Sequence, residues 1–224
     1  MLKFWGRVRI LVEPGGLLLL MAAFVVQPAL ANMELKTVKF ESKLAKQNLE
    51  INVYLPRGYA EESTLAYPVL LTTAGGSRLP MLTTQVDWLS HVNFGPMPKV
   101  IVVTLPDIDL PEKGDKFAAA SGALDKLTVE VLSQELLPYI DKMFRTQPYR
   151  LIEGFSSWGN FPLYVFRYQP QLFNAYLVFS PALELDKSGL VESFTDFEVT
   201  KDYRNRFLFV SVGDLSGNGK RKDQ

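Results

Sequence analysis

Apolar and polar positions alternate with period two over two early stretches, 35–42 and 49–55, most clearly at Leu49, Ile51, Val53 and Leu55. Period two places alternate side chains on one face of an extended chain, so both stretches predict half-buried β-strands. Ala45-Lys46-Gln47-Asn48 between them reads as the turn of an antiparallel hairpin. Further on, alternation gives way to short continuous apolar runs at 69–71, 100–103, 149–152, 173–179 and 207–212. Such runs suit strands covered on both faces, the habit of parallel sheets. Helical spacing separates them. The stretch 82–92 predicts a short helix. The stretch 124–144 predicts a long one, with apolar residues at 124, 127, 131, 132, 136, 140 and 143 along one face. Pro138 falls inside it and predicts a kink or break. The stretch 159–168 predicts a third helix, with Pro162 tolerable only in its first turn. Strands alternating with helices imply an α/β fold, with a mainly parallel sheet, helices on both faces and an N-terminal antiparallel hairpin. The mixed segment 184–201 is expected to hold a short helix over the site. No internal repeat and no second domain is visible.

The first 31 residues change this picture, because they read as a leader. Lys3, Arg7 and Arg9 form a positive start, 15–26 is apolar and uncharged, and Ala29-Leu30-Ala31 offers a small-x-small cleavage site. This is the pattern of a secretory signal peptide. Its apolar core is shorter than the ~20 residues a membrane-spanning helix needs. The expectation is an exported domain, periplasmic or secreted, covering 32–224, with its N-terminus at Asn32 and no stable membrane anchor after cleavage. An uncleaved N-terminal anchor is the other reading.

Composition narrows the chemistry. Lys plus Arg and Asp plus Glu number 24 each, and removing the leader leaves 21 basic and 23 acidic residues. A nucleic-acid partner therefore has no electrostatic footprint. With no cysteine and one histidine, His91, neither a thiolate nor a multi-histidine metal site can be built. No metal and no cofactor is expected.

The candidate chemistry sits in Leu151-Ile152-Glu153-Gly154-Phe155-Ser156-Ser157-Trp158-Gly159. A buried strand runs into Gly-x-Ser and then into a helix, the context of a nucleophile elbow. In such a turn the serine hydroxyl projects from the top of the sheet. The N–H of the following residue, here Ser157, aims at a developing oxyanion. Small residues are needed because strand and helix pass in contact. Gly154 supplies one, Trp158 does not, and Gly159 restores it one residue late. Trp158 is expected to crowd the turn. An ordinary βα turn accounts for the same residues, and Ser157 is an alternative nucleophile that Phe155 would crowd.

Several segments, taken in order, resemble the serine esterases of the esterase D and enterochelin-esterase type. They are 53–59 (Val-Tyr-Leu-Pro-Arg-Gly-Tyr), 67–71 (Tyr-Pro-Val-Leu-Leu), 98–103, 135–140 (Glu-Leu-Leu-Pro-Tyr-Ile), 144–146, 154–156, 169–173 and 179–181. The resemblance spans roughly 35–214. It implies an α/β-hydrolase fold and hydrolysis of a small-molecule ester by a Ser-His-acid triad. Ser156 would be the nucleophile that carries the acyl group. Ser157 and the Gly75-Gly76 turn would form the oxyanion hole, although those glycines fit a plain turn as well.

Acid and base are where the chain departs from that family. Asp214 follows the last strand, where the family's acid region begins, but it equally suits the turn Gly213-Asp214. The family's histidine follows the last strand, and here no histidine lies beyond His91. His91 itself reads as a surface or capping residue at a helix end. The resemblance therefore implies a truncated sequence, with the family's last strand and covering helix missing. Three readings follow: a serine esterase impaired by the missing base, a non-catalytic α/β-hydrolase relative that binds a ligand, and an enzyme that uses His91. Substrate identity and oligomeric state are not legible.

Overall fold

The computed structural model describes residues 33–91, 95–108, 123–185 and 189–213. The expected leader and Asp214 lie outside these residues. The described strands form one seven-stranded sheet in the order β1-β2-β4-β3-β5-β6-β7. They are β1 (Glu34–Ser42), β2 (Gln47–Leu55), β3 (Tyr67–Thr72), β4 (Ile101–Thr104), β5 (Thr146–Phe155), β6 (Ala175–Phe179) and β7 (Phe207–Ser211). The hairpin pairs antiparallel from Glu34↔Leu55 to Ser42↔Gln47, and β2 joins β4 antiparallel. All other pairings are parallel. The mainly parallel sheet with an N-terminal antiparallel hairpin that the patterning predicts is thus present, as is the α/β-hydrolase type that the resemblance implied.

Helices cover both faces. The helix α1 (Arg78–His91) lies on the face of Leu70, Val102 and Leu151, where Val86 is buried among them. The helices α2 (Ala123–Val131), α3 (Leu137–Met143) and α4 (Asn160–Tyr168) cover the other face. There Leu71, Val103 and Ile152 meet Leu132, Leu136, Ile140 and Val165. Neighbouring residues of one strand point to opposite faces, so Leu70 and Leu71 are both buried. That explains why the sequence shows an unbroken apolar run there.

Two prolines have visible consequences. Pro138 lacks an N–H and its ring crowds the carbonyl four residues back. The preceding turn, Leu132–Leu136, widens to π geometry, with the Leu137 N–H donating to the Leu132 carbonyl. The break joins α2 to α3 without ending the helical run. Pro148 lies near the start of β5, where the register against β3 shifts between Tyr67 and Val69, a place in a sheet that tolerates a missing donor. Because it pairs with both β3 and β6, β5 is ten residues long, much longer than the apolar run at 149–152 suggests.

The segment 184–201 corrects an expectation. Its described part forms short 3₁₀ turns at Leu183–Leu185, Glu192–Phe194 and Lys201–Tyr203, and none of their residues borders the cleft beside Ser156. Leu190 packs with Leu163 and Val178. Phe197 and Tyr203 stack around Phe166 on the flank of α4.

Candidate active site

Strand β5 ends at Phe155, and Ser156 takes φ +58, the left-handed region that a non-glycine residue enters at a cost. The chain then turns directly into a 3₁₀ turn, Ser156–Gly159, which continues as α4. The Ser157 N–H lies in the first turn of this helical run, where no upstream carbonyl can accept it. Pro162 falls in the first turn of α4, where it costs no helical hydrogen bond.

The glycine spacing has a steric cause. A Cβ on Gly154 would run into the Trp158 carbonyl oxygen and lie 2.9 Å from Pro162 Cγ. A Cβ on Gly159 would lie 3.1 Å from Pro181 Cα. The chain must therefore be bare at 154, is tight at 159, and has no such demand at 158. This corrects the expectation for Trp158: its backbone carbonyl faces Gly154, while its side chain is 49% exposed and borders a cleft.

That cleft has a volume of about 440 Å³. Ser156, Ser157, Trp158 and Phe155 border it from the elbow, Thr73, Ala74 and Gly75 from the turn after β3, Arg78 from the start of α1, and Asp107 from the end of β4. The ends of three strands, β3, β4 and β5, thus converge with the start of α1, as expected at the carboxyl edge of a parallel sheet. Of the two glycines proposed for the oxyanion turn, Gly75 borders the cleft and Gly76 does not. The φ of +52 at Gly76 accounts for glycine there.

Beneath the cleft lies a charged network that the sequence reading missed. Glu153 is 1% exposed and sits one residue before Gly154 on the face that carries α1. Its carboxylate is paired with the Arg78 guanidinium and accepts the Thr72 hydroxyl, with a further bond from Arg78 Nη1 to Oε1 of 3.1 Å. The Arg78 guanidinium also stands 5.3 Å from the centre of the Phe155 ring. The signal was present: a carboxylate inside an apolar strand demands a cation and donors around it.

The remaining candidates do not join this group. His91 lies in the last turn of α1, thirteen residues beyond Arg78 and so about 20 Å along the axis at ~1.5 Å per residue. Its Nδ1 lies 2.9 Å from the Asp87 carbonyl oxygen and its ring packs beside Trp88. The position of Asp214 is not described. Among the described residues no group of three or more histidines and carboxylates could hold a metal ion.

Fold and elbow together define a protein of the α/β-hydrolase class. Residues 42–208 match the family described as "Putative esterase", and the chain belongs to that family. Solved structures are similar in fold. An IroE-like serine hydrolase from Shewanella oneidensis is 24% identical over 71% of this chain and 56% of its own, with a TM-score of 0.58. The BES protein from Bacillus cereus is 16% identical over 83% of this chain and 70% of its own, with a TM-score of 0.59. The siderophore hydrolase EstB from Aspergillus nidulans is 14% identical over 71% and 60%, with a TM-score of 0.57. The chain thus spans little more than half the length of the Shewanella hydrolase. No curated protein sequence matches it.

Proposed function

We propose that this chain is a carboxylic ester hydrolase in which Ser156 is the nucleophile and a small-molecule ester is the substrate. The observation that carries the reading is the left-handed φ of Ser156 at the end of β5, beside the cleft. Strain of this kind persists where it serves a site. The Ser156 oxygen would bond to the ester carbonyl carbon as its proton passes to a base. Collapse of the tetrahedral adduct would release the alcohol and leave an acyl-enzyme, which water then hydrolyses. The Ser157 N–H and a donor of the turn bearing Gly75 are the candidates to hold the oxyanion.

No imidazole borders this cleft among the described residues. By itself the chain should therefore turn over slowly, because loss of one cooperating triad member costs on the order of 10⁴–10⁶ in kcat. The test is a fluorophosphonate probe, with the labelled peptide located by mass spectrometry. Slow labelling at Ser156 that Ser156→Ala removes is expected. Labelling that survives Ser156→Ala would remove Ser156 from the mechanism. Rapid labelling abolished by His91→Ala would make His91 the base after all.

A second reading, a non-catalytic binding protein on the same fold, is favoured by the distance of His91 from the cleft. It requires saturable binding of an ester analogue without covalent labelling. For location, we propose export: the charged start, apolar core and Ala-x-Ala support removal of residues 1–31. Mass spectrometry of the exported product should find Asn32 first, and an intact Met1 species in the cytosol would refute it.

A further inference from the structure

The buried carboxylate of Glu153 is far from a free choice for this strand. A charge taken out of water is costly unless paired and fully hydrogen-bonded, and an apolar residue would suit the interior of β5 better. What Glu153 holds explains its presence. Its carboxylate binds Thr72, the last residue of β3, and Arg78, the first residue of α1. These two residues bracket the turn 73–77, which carries Gly75 to the cleft. The same residue's backbone carbonyl accepts the Thr73 N–H at 3.3 Å. The Thr72 hydroxyl passes the constraint on by accepting the Ala74 N–H at 2.8 Å. The Arg78 N–H closes the turn onto the Gly75 carbonyl at 3.2 Å. Three residues after Glu153 comes Ser156.

We propose that Glu153 is a positioning residue: with Arg78 and Thr72 it clamps the turn 73–77 to the elbow strand, and so fixes the Gly75 and Ser157 amides relative to one another. The two amides come from different strand ends, and the covalent path between them runs through α1, β4, α2, α3 and β5. An oxyanion site works by donors fixed before the charge develops, so a joint of this kind must be rigid. Arg78 is held by a two-pronged contact, which lysine cannot reproduce. The consequence for catalysis rests on the reading of Ser156 as nucleophile; the clamp itself does not.

The test uses the full chain with Glu153→Gln, Arg78→Lys and the double change Glu153→Leu with Arg78→Met. The double change removes both charges, and apolar replacement of a buried ion pair is often neutral for stability. Amide exchange followed by NMR reads the clamp at Thr73, Ala74 and Arg78. Fluorophosphonate labelling reads its consequence. In the folded double variant, exchange at those three amides should rise ~10-fold or more while core amides of β4 and β5 hold. The labelling rate constant of Ser156 should fall ~10–100-fold with the probe's binding constant changed less than ~3-fold, since the loss is confined to the transition state. Arg78→Lys should fall between. Unchanged exchange at the three amides overturns the clamp. Faster exchange with an unchanged labelling rate overturns the positioning role, and so does unfolding of both charge-removing variants, which would assign Glu153 to stability alone. If exchange responds as stated but the unaltered chain never labels at Ser156, the clamp stands and the nucleophile reading falls.

Discussion

Gly154, Val178 and Val210 are register partners across β5, β6 and β7, and they meet three different environments in one row of a sheet. At 154 there is no room for even a Cβ. At 178 the valine is 0% exposed, packed between Leu163 of α4 and Leu190. At 210 the valine is 44% exposed. The strands β6 and β7 carry similar apolar sequences and the same backbone pairing, so neither composition nor hydrogen bonding separates them. The helix does. It leaves the elbow in contact with β5, covers β6, and over β7 meets only the half-buried Leu208, leaving Val210 exposed. On the opposite face Phe207 and Phe209 are 55% and 42% exposed, since α1 packs against the central strands. Strand identity is therefore a property of the segment, while burial is a property of the layer above it.

Substitutions along this row should show effects that fall from one strand to the next. The largest belongs to Gly154→Ala. Its methyl would press on the backbone carbonyl of Trp158, which cannot rotate away. Displacing the elbow should cost ~2–4 kcal/mol and abolish probe labelling of Ser156. Chemical denaturation reads the first effect, and a midpoint equal to that of the unaltered chain would show that the turn has slack. Val178→Ala comes next, at about 2 kcal/mol for two buried methyl groups and the space they leave. Val210→Ala should stay within ~0.5 kcal/mol. Equal losses at 178 and 210 in thermal melts would mean that something covers β7 in solution.

Most of this architecture was legible beforehand, and the reasons are local. Leu49, Ile51, Val53 and Leu55 announce a half-covered strand because one face of β2 packs on the core. The continuous runs announce doubly covered strands because helices lie on both faces. Pro138 announced a break that takes the form of a π turn. For the site, Gly154 and Ser156 were readable because a steric rule ties them to one backbone conformation. Arg78, Asp107 and Glu153 were not. Their roles depend on which strand ends meet, and the order β4-β3-β5 is set by long-range pairing that no local pattern encodes. The apolar run at 207–212 announced a strand whose covering layer was expected to be missing, and its exposed Phe207, Phe209 and Val210 show that a neighbour, not the run itself, decides coverage.

The exposed end of the row carries a prediction of its own. Among the described residues β7 pairs with β6 alone, and beside its free edge Phe207 and Phe209 are exposed on one face and Val210 on the other. Unpaired strand edges with apolar side chains template association with other chains. Light scattering should show self-association that grows with concentration. Val210→Lys should reduce it with a stability change within ~0.5 kcal/mol, because charge on an edge is a familiar guard against pairing. A monomeric unaltered chain at high concentration would refute this.

The smallest effect tests whether exposure also limits what a polar group contributes. Glu62 receives hydrogen bonds from Lys99 Nζ at 2.9 Å and from the Tyr67 hydroxyl at 2.9 Å. These donors, Lys99 first and Tyr67 second, hold its carboxyl below the usual carboxylate range. A folded-state pKa that is lowered means that the folded chain prefers the carboxylate. Its contribution is full above the unfolded value, near 4.5, and is lost as pH falls through the lowered folded value. Tyr67 behaves in the opposite sense. Burial first, and then its bond to Glu62, push its phenol up from 10.0, so its contribution is full below that pH and is lost as pH rises through the raised value. Melting curves against pH should thus separate the unaltered chain from Glu62→Gln at neutral pH and bring them together in acid. The gap should be small beside that of Val178→Ala, because exposed ion pairs contribute little. A gap equally wide at pH 3 and pH 7 would mean that Glu62 acts through packing rather than through charge.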